Sequence, residues 1–170
     1  MAGGGAIPVL FSWGFTLVEV MLVVSITALL AAVAIHSLLR SRTIGIETAT
    51  VANLRTLANS LEMYHASNAS YPDNWQAEMY ANADPPFGPP AFNTAMAGSL
   101  VQGYAYTYTS LPGGCASNCS DYTLTSAPET LGMTGTRAFF VDRSGTIRHC
   151  PGAGPAKVTS QPIEQPPAAC

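Results

Sequence analysis

The most restrictive feature of this chain is a run of 25 residues, Phe15 to Leu39, whose only titratable side chains are Glu19 and His36. As an α-helix rising about 1.5 Å per residue, the run is about 37 Å long, enough to cross a hydrocarbon core about 30 Å thick. Arg40 and Arg42 close it. A secretory signal peptide would place its small cleavage-site residues after a shorter apolar core. Here Gly14 precedes the run, so cut there, the chain keeps its apolar segment. The sequence therefore divides into an N-terminal segment over residues 1–14, a membrane stem over residues 15–39 and a head over residues 40–170.

Glu19 is the costly residue. A carboxylate within a membrane segment costs on the order of 2.5–3.5 kcal/mol on insertion scales, and ionisable residues kept at such positions are functional by default. If the chain is cut after Gly14, Phe15 carries a free α-amine near Glu19. An amine of pKa about 8 is largely cationic at neutral pH. It can neutralise the Glu19 of a neighbouring chain and fix the register of packed helices.

Gly14-Phe15-Thr16-Leu17-Val18-Glu19, with the apolar run Val20 to Ile35 behind it, resembles the N-terminus of type IV pilins and the related pseudopilins. A weaker likeness continues through Asn53-Leu54-Arg55-Thr56-Leu57 to Tyr71-Pro72. The resemblance implies that a prepilin peptidase cuts between Gly14 and Phe15 and N-methylates Phe15, and that Glu19 guides assembly. It implies further partners: copies of the chain and other pilins in a filament, an inner-membrane assembly platform, and membrane lipid before assembly. The precursor is then expected in a bacterial inner membrane and the assembled subunit in a surface filament. The sequence departs from the family in two places. Met1 to Trp13 contains no Lys or Arg, and His36 stands where many members have a helix-bending Pro. His36 reads as a spacer in the helix rather than a ligand.

Past Arg42 the apolar residues become one-sided. Ile44, Val51, Leu54, Leu57, Leu61 and Tyr64 follow three- and four-residue spacings, and Arg55, Asn59 and Glu62 take the other face. No Pro interrupts Thr16 to Ser70. One long helix is expected, a membrane stem continuing into an amphipathic spine over residues 40–68, with a local bend or hinge at Gly45. Pro72 ends it. Residues 70–101, rich in Asn, Ala, Gly and Pro, read as a surface loop with a short helical turn near Trp75 to Tyr80. Residues 103–149 read as a sheet. Tyr104 to Tyr108 alternates with period two and puts three Tyr on one packing face. Asp121 to Ser126, Arg137 to Val141 and Thr146 to His149 are the other strands, and Asp142-Arg143-Ser144-Gly145 is a hairpin turn. The expected fold is α+β, a long N-terminal helix packed on a small four-stranded antiparallel sheet, with a C-terminal loop over residues 150–170.

Cys115, Cys119, Cys150 and Cys170 allow three pairings. The simplest is Cys115 with Cys119 and Cys150 with Cys170. A pairing that crosses from Cys115 or Cys119 to Cys150 stays open. Closure by Cys near the C-terminus is common in the pilins that the chain resembles. Disulfides require an oxidising compartment. They oppose the reversed topology that Arg40 and Arg42 alone would suggest under the rule placing cations on the cytoplasmic side.

Rival chemistry has little to work with. Cys115, Cys119, His149 and Cys150 could supply zinc ligands, but adjacent strand residues His149 and Cys150 face opposite ways. That geometry also weakens a Cys–His nucleophile pair, and His65 has no partner motif. Asp121, Glu129 and Asp142 lack the alternating oxygen ligands of a calcium loop. Seven Lys and Arg against ten Asp and Glu, in a chain only 10% charged, leave no basic face for a dedicated nucleic-acid site. No cofactor and no catalytic group is expected. The expected function is a structural filament subunit of the type IV pilus kind. The alternatives are a type II secretion pseudopilin and, from another class, a membrane-tethered metal-binding domain or enzyme.

Overall fold

The structure, a computed structural model, describes residues 14–94, 96–116 and 118–167, with the side chain of His36 outside the description. Most of the leader expected over residues 1–14, the spacer role of His36, and Cys170 therefore lie outside the described residues. The chain forms two compact units that divide after Leu38.

Helix α1, Leu17–Asn68, contributes its first part to one unit and the rest to the other. Thr16 caps it. Its carbonyl accepts the first helical bond from the Val20 amide at 3.2 Å, and its Oγ1 accepts from the Glu19 amide at 3.2 Å. This is the hydroxyl half of a Thr-x-x-Glu capping box. Through Ile35 every residue of α1 is exposed, Leu17, Leu29 and Val33 among the most open. An 18-residue window here has a mean hydropathy of 2.5. Helical hydrogen bonding continues through Gly45. The helix stops where Ala69 adopts φ +57° and Pro72 follows.

In the second unit α1 buries Glu47, Thr50, Leu54, Leu57, Leu61 and Tyr64. Their spacings of three and four make one stripe. Apolarity alone selects Ile44 as its start, yet Ile44 is 55% exposed and Glu47 is the buried residue. The helical period holds, but polar side chains occupy its first two positions.

The sheet is an antiparallel meander of six strands rather than the four expected. They are β1 (Ala97–Val101), β2 (Tyr104–Leu111), β3 (Asp121–Pro128), β4 (Arg137–Asp142), β5 (Arg148–Pro151) and β6 (Gln161–Pro162). β1 falls within the stretch expected as loop. It joins β2 through Gln102 and Gly103, both at positive φ (+54° and +83°), the geometry of a tight two-residue hairpin. β6 places part of the expected C-terminal loop on the sheet edge. The rest of the loop expected over residues 70–101 contains a short helix, Ala77–Ala81, whose first turn is capped by Asn74 Oδ1 accepting from the Ala77 amide at 3.0 Å. The turn after β4 matches expectation. Asp142 Oδ1 accepts from the Ser144 amide at 2.9 Å, and Gly145 takes φ +70°.

One face of the sheet, with Tyr104, Tyr106, Tyr122, Leu124, Phe139 and Val141, packs with the helical stripe and with Trp75, Met79 and Phe92 into the main core. Fully burying each of Leu54, Leu57 and Leu61 contributes about 1.5–3 kcal/mol. The opposite face is covered locally. Ala138, Phe140, Cys150 and Ala156 form a second cluster, so the C-terminal segment shields β4 and β5 from behind. That is why four successive residues of β4, Ala138 to Val141, are all buried.

Candidate functional site

Gly14, Phe15 and Glu19 sit at the start of the exposed apolar unit. Gly14 and Phe15 precede α1, and the Phe15 side chain is 80% exposed. Glu19 lies in the first turn of α1, where a carboxylate is favoured by the helix dipole. Its amide is satisfied by Thr16, and among the described residues its carboxylate makes no hydrogen bond or ion pair. The geometry gives Glu19 a helical position and leaves its carboxylate oxygens available. The capping box is legible as Thr16-x-x-Glu19, though the membrane cost of the acid draws attention away from it.

The head contains a polar cluster that the sequence reading misses. Glu47, only 4% exposed, receives four hydrogen bonds. The Thr136 amide and hydroxyl both donate to Oε1 at 2.7 Å, and Arg137 Nε and Nη2 donate to Oε2 at 2.8 and 2.6 Å. Burial alone would raise the Glu47 pKa. The Thr136 donors and the Arg137 guanidinium outweigh it and hold the carboxyl below its ordinary value. Arg137 also donates from Nη1 to His149 Nδ1 at 3.2 Å. Since guanidinium only donates, Nδ1 is an acceptor, and Nε2 carries the proton that it donates to the Gln165 carbonyl at 3.0 Å. The relay links α1, β4, β5 and the C-terminal segment, and the Tyr104 hydroxyl adds a bond to the Arg137 carbonyl at 2.8 Å. The sequence signal for this cluster is an acid on an otherwise apolar helical stripe.

The structure gives the metal-ligand candidates considered from the sequence other contacts. His149 uses both ring nitrogens in the relay. Cys115 and Cys119 are joined to each other, with Cα atoms 5.2 Å apart, so the open cross-pairing to Cys150 is not made and the zinc set is not assembled. Cys150 is itself disulfide-bonded, while its expected partner, Cys170, lies outside the described residues. Asp73 lies beside the Cys115–Cys119 sulfurs, but those sulfurs are bonded to each other and Asp73 Oδ1 accepts from Ser110 Oγ at 2.9 Å. Asp121 and Asp142 serve local backbone amides, those of Tyr122 and Ser144. His65 stacks on Tyr71 with ring centroids 4.5 Å apart.

The three tyrosines on one face of β2 do form a packing surface. Tyr106 meets Phe92 edge-on at 5.0 Å and accepts a hydrogen bond from Asn53 of α1, and Tyr108 packs on Trp75 at 5.2 Å. The Cys115–Cys119 loop is tied to the end of α1 through the Tyr71 amide, which donates to the Cys119 carbonyl at 2.9 Å.

No protein-family model matches the chain, and no solved structure does. Among curated proteins, the type IV wide pilus major component PilA4 of Thermus thermophilus is 42% identical over 64 residues, which make up 38% of this chain and 49% of that protein. The match thus spans about half the length of that relative. Together with the long, apolar N-terminal part of α1, it makes this chain, over the matched segment, a homologue of a type IV pilin.

Proposed function

We propose that the chain is a non-enzymatic structural subunit of a type IV pilus-like filament. The observation that carries this reading is the similarity to a wide-pilus major component, joined to an N-terminal helix that exposes Leu17, Val33 and the apolar residues between them. Such a surface needs lipid or other apolar helices around it. In this reading the stem first lies in the inner membrane and then moves into a bundle of like stems. That transfer is from one apolar environment to another, so packing and charge matching must supply its specificity.

A prepilin peptidase cuts after Gly14 and methylates the new terminus at Phe15. The Phe15 amine of an adjoining subunit neutralises Glu19, whose carboxylate oxygens are uncommitted among the described residues. The assembly platform and the surface location follow from the same reading, and the disulfide Cys115–Cys119 suits an oxidising compartment.

The test is electron microscopy of sheared surface filaments, with mass spectrometry of their subunit. Filaments built from a chain that begins at methylated Phe15 are the expected result. A native chain that keeps residues 1–14 and never polymerises would overturn the reading.

A further inference from the structure

The head carries a groove of about 630 Å³ whose walls are the first turns of its helix and the loop between β3 and β4. Every residue lining it belongs to the unit that begins at Leu39. Each wall presents an exposed apolar side chain, Ile44 on the helix and Met133 on the loop. Arg40 and Arg42 are exposed, and neither is in an ion pair among the described residues. The acid in the lining, Glu47, is already matched by Arg137. Three Arg against one Glu leave the groove two positive charges, in a chain whose overall charge is −3. Arg40 and Ile44 are four residues apart and so stand about 5–6 Å from each other on one helix face. An occupant that suits the groove sets a carboxylate beside an apolar group.

The same head carries that pairing elsewhere on its surface. Asp84, Pro85 and Pro86 are all exposed, and Asp84 is in no ion pair among the described residues. Both ends of this short segment are held by the helix Ala77–Ala81. The Asn82 amide donates to the Ala77 carbonyl at 2.8 Å, and the Phe87 amide donates to the Met79 carbonyl at 3.0 Å. Two Pro with fixed φ stiffen what lies between, so docking costs the segment little conformational freedom. Tyr64 ties it to the far end of the head's helix. The Tyr64 hydroxyl donates to Glu78 at 2.8 Å, and its ring meets Phe87 edge-on with centroids 5.3 Å apart. Tyr64 lies twenty residues beyond Ile44 on α1, a rise of about 30 Å. The groove and the acidic segment therefore sit at opposite ends of that helix. Glu164, another exposed acid with Pro close behind it, sits instead at the groove end, next to Gln165, which His149 links to Arg137.

We infer that the Asp84–Pro86 segment of one copy of this chain docks in the groove of the next, its carboxylate on Arg40 and Arg42 and its Pro rings against Ile44 and Met133. The inference rests on the filament reading above and names the head surfaces through which copies meet. A free anion would satisfy Arg40 and Arg42 but leave Ile44 and Met133 in water. One end of a head meeting the other end of its neighbour is a heterologous contact, which builds a ring or an open filament rather than a closed pair.

The experiment uses the full chain carrying Met133→Cys and Pro86→Cys, in filaments sheared from cells, oxidised and run on a gel without reductant. A ladder of dimer, trimer and longer bands is the expected result. Charge reversal in either partner, R40D/R42D or D84R, should weaken the ladder at least about fivefold per filament mass, the upper worth of one exposed ion pair. Combining the reversals as R40D/R42D/D84R should restore it. Met133→Cys with Val158→Cys, an exposed site in the C-terminal segment, should give no ladder. Bands that stop at the dimer mean a two-fold contact and overturn the inference. A ladder indifferent to both charge reversals, or equally strong with Val158→Cys, also overturns it. Filaments that form but give no ladder defeat this contact and leave the filament reading standing. A parent chain that makes no filaments defeats that reading, and this contact falls with it.

Discussion

Arg137 grips Glu47 with two nitrogens, Nε at 2.8 Å and Nη2 at 2.6 Å, across 90 positions of sequence. The carboxylate is nearly buried, while the guanidinium side chain is 33% exposed. Much of the solvation cost therefore falls on Glu47, and the two Thr136 donors offset it. The pair fastens the first buried turn of the helix in the head to the start of β4.

Glu47→Gln should lower the stability of the head by about 2 kcal/mol, because charge-assisted hydrogen bonds are worth about 1.5–3 kcal/mol and Arg137 stays partly solvated. Thr136→Ala should cost less, about 1 kcal/mol, since the backbone amide still donates. Urea denaturation of the full chain in detergent, followed by near-ultraviolet circular dichroism, measures both. The pH dependence has a defined sign. The Glu47 pKa is lower folded than unfolded, so its stabilisation is complete above its ordinary value of 4.5 and is lost as pH falls through the lowered one. That share of the acid sensitivity should vanish in Glu47→Gln. An unchanged acid transition would show that the pair contributes nothing to it.

At the alkaline end the tyrosines should act together. All seven have raised pKa values, with burial the largest cause in each. Tyr64, Tyr71 and Tyr80 are pushed up to about 12, Tyr64 with help from Glu78 and Tyr71 from Glu62. A phenol of ordinary pKa near 10 then favours the folded state fully below pH 10, and that contribution is lost as pH rises through about 12. Since no tyrosine keeps its ordinary value, tyrosinate absorbance should stay low near pH 10 and rise in step with unfolding. A smooth titration centred at pH 10 in a chain that keeps its tertiary dichroism would contradict this packing.

How much of this can be read from the sequence divides along physical lines. The long apolar helix, its amphipathic continuation, the hairpin turn at Gly145 and the tyrosine face of β2 all follow from period and turn chemistry, which are local. β1 is hidden because Asn, Gly and Pro dominate its neighbourhood. Its signal is the dipeptide Gln102-Gly103 between Val101 and Tyr104, where a Cβ on Gly103 would come within 2.9 Å of Thr134 Cγ2. β6 has two residues and no periodicity to show. Glu47 is easily passed over because an acid interrupts the apolar stripe. Only its distant partners, Thr136 and Arg137, make that position tolerable. Glu19, in contrast, is conspicuous in sequence because nothing charged surrounds it.

Breaking the Cys115–Cys119 link should cost about 2 kcal/mol, the loop-entropy estimate for so short a closed segment. The loss should show at the β2–β3 connection, through the Tyr71–Cys119 backbone bond. Cys115→Ser with Cys119→Ser, compared by urea denaturation and by amide exchange at Tyr71, gives both readings. Thiol titration of the denatured, unreduced parent should find neither sulfur free. Free thiols together with bound zinc in the purified chain would revive the metal-binding alternative.

Two physical roles are open to Glu19, and a single substitution confounds them. Its spacing from Thr16 suits a capping box, of which the structure shows the Thr16 hydroxyl half, and in the proposed reading its charge in the apolar run guides assembly. Glu19→Ala removes both. Glu19→Gln keeps a side chain able to complete the capping box and removes only the charge. If neutralisation by the neighbouring Phe15 amine sets the register, both variants should enter the membrane normally and both should lose at least about tenfold in filament yield. That loss corresponds to about 1.4 kcal/mol per subunit contact, well within the worth of a charge pair shielded from water. Thr16→Ala should weaken the cap by about 1 kcal/mol and leave the yield near normal. The measurement is the filament mass sheared from cells, normalised to membrane-bound precursor. Assembly retained in Glu19→Gln but lost in Glu19→Ala and Thr16→Ala would make Glu19 a capping residue, and the charge-matching mechanism would have to be given up.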